Sequence, residues 1–218
     1  EEYRRTIALY QNMGCTCLRV WGGAILETET FYNLCDEAGI LVWQEFPLSS
    51  SGLENAPPED PATIEEIKRI ASSYINRRGH HASLLLWCGG NELTLLKDGD
   101  QKPADCAHPC LAALRDRVAK EDPHRRFIAT SSTGPQFYAH RENFGKGLHH
   151  DVHGPWGMGG FADMDHWREY WANDDALFRS EVGMPAACDE AMIEKYRGDA
   201  RAWPPEGEYW LHTAAWWA

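Results

Sequence analysis

No apolar run in this chain of 218 residues is long enough to cross a bilayer, and no signal pattern marks its opening "EEYRRTIALYQ". No membrane partner is expected, and secreted, periplasmic and cytoplasmic locations all fit. Positive charge is scarce. Lys and Arg number 21 against 33 Asp and Glu, a net charge of -12, which argues against a surface for the phosphates of nucleic acid. The seven cysteines contain no C-x-x-C pair. A zinc site usually draws about four ligands from spaced pairs, so most of these cysteines read as small buried hydrophobes. Cys106 and Cys110, in "CAHPC", would suit a local disulfide in an exported protein. N-x-S/T sequons are absent. So are G-x-S-x-G, H-E-x-x-H and G-x-x-x-x-G-K-[ST], which removes the usual serine-elbow, zincin and P-loop readings. There is no internal repeat and no low-complexity segment.

What is present reads as an ordinary globular chain. Apolar residues make up 43% and charged residues 25%, with length for one large domain or two small ones. Ten tryptophans stand out. Indole offers a flat apolar face with one N–H donor. Near polar strand ends, such faces suit stacking on the C–H faces of sugars.

Periodicity organises the chain. Tyr3, Ile7 and Tyr10 are at helical spacing, and Gly14 ends that helix. "CTCLRVWGG" is a short β-rich run. Thr28 caps a helix that stops at Gly39. "ILVWQEF" is a second apolar run, and "PLSSSGLENAPPEDP" is a loop by composition. "ATIEEIKRIASSYINRR" is an amphipathic helix, followed by the strand-like "SLLLWCGG". A polar excursion over roughly 97–109 leads to the helix "CLAALRDRVAKED" and the strand "RFIATSS". "GLHHDVHGPW" and "ALFRSEVG" read as two more strands, "DEAMIEKYRG" as a closing helix, and the tail after it as irregular. His80 and His81 follow a helix end and read as solvated. Strands that are apolar throughout are covered on both faces, and strands alternating with helices make a parallel sheet. The open dinucleotide-binding form wants G-x-G-x-x-G after its first strand. That motif is missing, and "GMGGFAD" at 157–163 leads into no convincing helix start. The expected fold is α/β, a (β/α)8 barrel with about strands 2 to 7 present, one strand lying before residue 1 and one after residue 218.

In such barrels the chemistry sits at the C-terminal ends of the strands. Those ends carry Arg19 and Trp21, Gln44 and Glu45, Asn91 and Glu92, Ser131 and Ser132, then Asp151, His153 and Trp156, and last Ser180 and Glu181. Paired carboxylates among an amide, a guanidinium and several indoles are what glycosidic hydrolysis requires. One protonates the leaving oxygen and the other attacks or activates water. The plainer reading of "GGNEL" is a helix N-terminus, with Asn91 as cap and Glu92 in the first turn.

Three stretches in order, "LRVWGGAILETETFYNLCDEAGILVWQEF", "LLLWCGGNE" and "FRSEVG", resemble the catalytic barrel of glycoside hydrolase family 2, over most of residues 1–190. The nearest branch is that of the β-mannosidases and their exo-glucosaminidase relatives. The resemblance implies a retaining exo-β-glycosidase working by double displacement, with Glu92 as general acid/base and Glu181 as nucleophile. It implies that Asn91 bonds the sugar 2-hydroxyl, that Arg19 orients the nucleophile, and that Trp21, Trp156 and His153 line the sugar subsite. No metal or organic cofactor is needed. The partner is a glycoside or oligosaccharide: β-mannoside first, then β-glucosaminide, β-galactoside and β-glucuronide. Residues 1–218 would be one catalytic domain of a larger enzyme whose sandwich domains are absent here. Gly90 stands where the branch usually has Asn, Glu45 where it has Asp, and Gly154-Pro155 where an aromatic follows the histidine. Glu45 is thus either a substrate contact or a structural ion pair. Two rival readings remain. A non-catalytic carbohydrate-binding barrel would keep the tryptophans. A metal-dependent hydrolase would use His149, Asp151 and His153, which share one strand face.

Overall fold

The computed structural model describes residues 1–49, 55–97, 99–156, 161–183, 188–204 and 210. Two compact units make up the chain, residues 1–137 and 138–218. Among the described residues, no helix is long and apolar enough to cross a membrane.

The first unit is built on four parallel strands. These are β1 (Cys17–Val20), β2 (Leu41–Glu45), β3 (Leu84–Cys88) and β6 (Arg126–Ile128), adjacent in that order. Between them run α2 (Glu29–Ala38), α3 (Pro61–Arg78) and α4 (Pro109–Glu121), with α1 (Glu2–Asn12) ahead of β1. Local chemistry sets the helix ends. Thr28 accepts from the Phe31 amide at 3.3 Å, and Gly39 closes α2 in the left-handed region at φ 69°. Asp60 caps α3 through Thr63 N at 2.8 Å, with Pro61 in the first turn. A short antiparallel hairpin, β4 (Thr94–Lys97) and β5 (Asp100–Pro103), follows β3, and β7 (Gly134–Pro135) is a two-residue strand. The polar excursion expected near 97–109 therefore begins as a hairpin. Its strands are short and carry no apolar alternation, so periodicity does not reveal them.

The sheet separates two apolar layers. One joins Val42, Phe46, Leu84 and Trp87 to the buried faces of α2, α3 and α4. The other, Trp43, Leu86 and Cys88 with Ile128 packed on it, contains no helix residue. That two-sided burial is why these strands read as unbroken apolar runs. Trp87 carries much of the helical layer. Its ring stacks on Phe46 at 5.3 Å between centroids, and its Nε1 donates to Asp122 at 2.9 Å.

The second unit holds β8 (His149–Trp156) parallel to β9 (Arg179–Gly183), with α5 (Met164–Asn173), α6 (Glu190–Tyr196) and a 3-10 turn at Arg141–Asn143. Helix α5 corrects the reading of "GMGGFAD". Asp163 starts it, its carboxylate accepting from Asp165 N and His166 N at 3.0 and 2.9 Å. Residues 157–160 lie outside the described residues, as do 205–209 and 211–218 of the tail. Cys106 and Cys110 carry free thiols rather than a disulfide. Burial pushes the thiol of Cys35 up to about 12 and that of Cys110 up to about 11, as expected for packing rather than reactive cysteines.

Candidate active site

In the first unit the polar residues that end the parallel strands meet on the helix-free face. Side chains alternate along a strand, so Glu45 faces the same way as Trp43, and the register places Arg19 beside Trp43. Glu45 is 1% exposed, and both its oxygens are engaged. Oε1 accepts from Arg19 Nε and from Ser131 Oγ, each at 2.8 Å, and Oε2 accepts from the amide of Gly22 at 2.8 Å. Of the two readings open for Glu45, this geometry favours the ion pair. Arg19 reaches further, its Nη2 donating to Asn91 Oδ1 at 2.5 Å and to Ser131 Oγ at 2.7 Å. One guanidinium thus ties β1, β2 and the segments after β3 and β6. Ser131 is a strand end that sequence reading reaches without a role. Its hydroxyl bridges Glu45 and Arg19.

The segment after β3 is held backbone by backbone. Asn91 N donates to Leu48 O at 2.8 Å, Glu92 N to Ser131 O at 2.6 Å, and Leu93 N to Thr130 Oγ1 at 2.9 Å. Among the described residues, Glu92 is the one non-glycine at positive φ, 51°. A left-handed residue with a Cβ costs about 1–2 kcal/mol, and such residues concentrate where surrounding structure imposes them. No helix follows; the next element is β4. The helix-cap reading of "GGNEL" is therefore wrong. The glycines before it have a steric reason. A Cβ on Gly90 would lie 2.5 Å from Leu48 O, and one on Gly89 would lie 2.2 Å from Ala129 O. Trp21, 46% exposed, lies beside the neighbouring turn, its indole covering the space a Cβ on Gly23 would take.

In the second unit, His153 and Glu181 are register partners on β8 and β9. His153 is 1% exposed, with Nε2 at 3.0 Å from Ser180 Oγ and Nδ1 at 3.9 Å from Glu181 Oε2. The Glu181 side chain is 27% exposed, reachable yet supported. Asp151 Oδ1 accepts from Ser180 N at 2.9 Å and steadies the same strand. Trp156, 40% exposed, makes edge contacts with Tyr138 and His153, at 5.7 and 6.0 Å between centroids. These rings line an open cavity of about 580 Å³ with Phe161 and Tyr170. Nothing in the sequence marks Tyr138, because it follows no apolar strand-like run.

The metal reading of residues 149–153 does not survive. His149 Nδ1 bonds Asp175 Oδ1 at 2.5 Å, and its Nε2 accepts from His140 N at 3.4 Å. Among the described residues, His149, Asp151 and His153 form no common ligand group.

Sequence and structure comparisons agree with this layout. The family described as "Glycosyl hydrolases family 2, TIM barrel domain" matches residues 26–142. β-Mannosidase B of Thermothelomyces thermophilus is 30% identical over 213 residues, which is 91% of this chain and 24% of that protein. β-Mannosidase of Rattus norvegicus is 34% identical over 126 residues, 53% of this chain and 14% of that protein. The crystal structure of β-D-mannosidase from Dictyoglomus thermophilum superposes with a TM-score of 0.66 at 26% identity, covering 88% of this chain and 23% of that one. A Parabacteroides merdae β-glucuronidase at 18% identity and TM-score 0.54 shares the fold. The chain spans about a quarter of the length of long-matching curated relatives. The fold is thus that of an α/β TIM barrel domain, and the chain belongs to glycosyl hydrolase family 2, on its β-mannosidase-like branch.

Proposed function

We propose that the protein is a retaining exo-β-glycosidase that releases terminal sugars, β-mannose first. Glu181 attacks the anomeric carbon while Glu92 protonates the leaving oxygen. Glu92 then takes a proton from the water that frees the sugar. Asn91 bonds the sugar 2-hydroxyl, Arg19 holds Asn91 in place, and Glu45 positions Arg19. His153 orients Glu181, and Trp21 and Trp156 stack on sugar faces.

The observation that carries this reading is the Asn91–Glu92 pair. A half-buried guanidinium grips the amide, and the carboxylate follows on a backbone forced into the left-handed region. A carboxylate of merely structural use needs no such support. The mannosidase preference rests on the relatives named above.

The test uses the complete gene product on chromogenic β-mannoside, β-glucosaminide, β-galactoside and β-glucuronide. Wild type should turn over the mannoside fastest. Glu181→Ala and Glu92→Ala should each lower kcat by several orders of magnitude. With azide present, Glu181→Ala should yield the α-glycosyl azide and Glu92→Ala the β-azide, because azide replaces the nucleophile in one case and water in the other. No turnover of any glycoside by wild type would overturn the enzyme reading. Inverted azide stereochemistry would exchange the two roles.

A further inference from the structure

The turn that leads into β3 holds a second cluster. Five strand residues separate it from the Asn91 segment, about 16 Å of chain. His80 Nε2 lies 3.2 Å from Glu29 Oε1, and His81 Nε2 lies 3.3 Å from the same oxygen. All three donor atoms fall within 4.8 Å of one another. From their place after a helix end, both histidines read as solvated. His80 is exposed, but His81 is only 2% exposed and stacks on Tyr32 at 4.9 Å.

His81 is fixed from behind. Its Nδ1 lies 2.7 Å from Asp36 Oδ2, and the other oxygen of Asp36 accepts from Ser83 N at 2.7 Å. A carboxylate at Nδ1 keeps the ring proton on that side and turns the Nε2 lone pair outward, the arrangement of a metal-binding histidine. This Nε2 is buried and makes no hydrogen bond, although a carboxylate oxygen lies 3.3 Å away. A lone pair facing a carboxylate is repulsive unless a proton or a metal ion lies between them.

The spacing suits zinc. Tetrahedral zinc with bonds of 2.0–2.1 Å sets neighbouring donors about 3.3–3.4 Å apart. The separations of 3.2 and 3.3 Å to Glu29 Oε1 match those edges. Arg78 takes the other oxygen of Glu29 at 2.6 Å, which orients the carboxylate and leaves Oε1 for the ion. Exposure of His80 supplies the entry path.

We propose that Glu29, His80 and His81 bind a divalent transition metal, zinc by preference, with Asp36 orienting His81 and water completing the shell. Such an ion joins the first turn of α2 to the turn before β3. Its effect is on folding rather than on the hydrolytic step, and the proposal is independent of the glycosidase reading.

The test starts from protein stripped with a chelator, titrated with Zn²⁺ by calorimetry and with Co²⁺ in the visible spectrum. Wild type should bind Zn²⁺ at micromolar or lower Kd and show a higher Tm as Zn²⁺ rises. Co²⁺ should give the intense visible bands of tetrahedral coordination. His80→Ala changes an exposed side chain, so it should fold, yet it should weaken Zn²⁺ binding at least about tenfold and abolish the bands. Glu29→Gln should weaken binding likewise. No Tm response to Zn²⁺ in wild type would overturn the proposal. So would equal Zn²⁺ affinity in wild type, His80→Ala and Glu29→Gln, since any bound ion would then sit on other ligands.

Discussion

Glu45→Gln is the sharpest probe of the strand-end network. The change keeps the side chain's length and shape but removes its charge and one acceptor. In the native arrangement Oε1 receives Arg19 Nε and Ser131 Oγ, and Oε2 receives Gly22 N. A glutamine offers one carbonyl oxygen, so its amide NH2 must face a donor. If it faces Gly22, a buried N–H is left unsatisfied, at about 1–3 kcal/mol. In addition, the hydrogen bond from Arg19 loses its charged acceptor, a difference of about 1 kcal/mol between charged and neutral bonds. Arg19 keeps Asn91 and Ser131, so the loss stops short of the about 3–5 kcal/mol for a fully orphaned buried charge. The expected cost is therefore about 2–4 kcal/mol, and at about 2–4 °C per kcal/mol for a chain of this size the Tm should fall by about 4–16 °C. Calorimetry in parallel with kinetics is the assay. Since Arg19 holds Asn91, kcat should fall more than KM rises. A Tm shift below about 2 °C with unchanged kcat would refute the reasoning, because Glu45 would then neither support the strand ends nor position Asn91.

Two further predictions follow from other parts of the fold. Gly90→Ala places a Cβ 2.5 Å from Leu48 O, the carbonyl that receives Asn91 N, so thermal melts should show a loss of about 1–3 kcal/mol and kcat should fall with it; wild-type stability would mean that the Leu48 segment yields freely. The hydrogen bond from His149 holds the Asp175 carboxyl below its usual value, so this contribution is complete above the unfolded value near 3.9 and is lost as pH falls through the lower folded value. Asp175→Asn should therefore flatten the Tm profile between about pH 5 and 2, and acid limbs that superpose would contradict it.

The sequence reveals most of the strands and helices but little of the site's wiring, for physical reasons. Strands β2 and β3 are visible because burial on both faces leaves long apolar runs in them, and Thr28 and Gly39 mark α2 because a cap and a left-handed turn each demand particular residues. Helix α5 is hidden because only Tyr170 of its ten residues is buried. Within the first unit, Arg19, Glu45 and Asn91 are legible as strand-end residues, since polar side chains appear where the apolar runs stop. Their partnerships are not. Arg19 and Glu45 are 26 residues apart, and they meet only because the β1–β2 register and side-chain alternation bring them to one face. The burial of His81 is equally silent, since its partner Asp36 lies 45 residues away on a helix.

The backbone at Glu92 carries an implication for how sequences drift. At φ 51° a glycine or an asparagine is more comfortable than a glutamate. A screen that rewards folding alone would therefore move position 92 away from glutamate, and its winners would be sturdier and, on the proposed mechanism, catalytically silent. Stability-guided redesign of this chain should hold that position fixed, since a score that counts only the folded state will always vote to replace it.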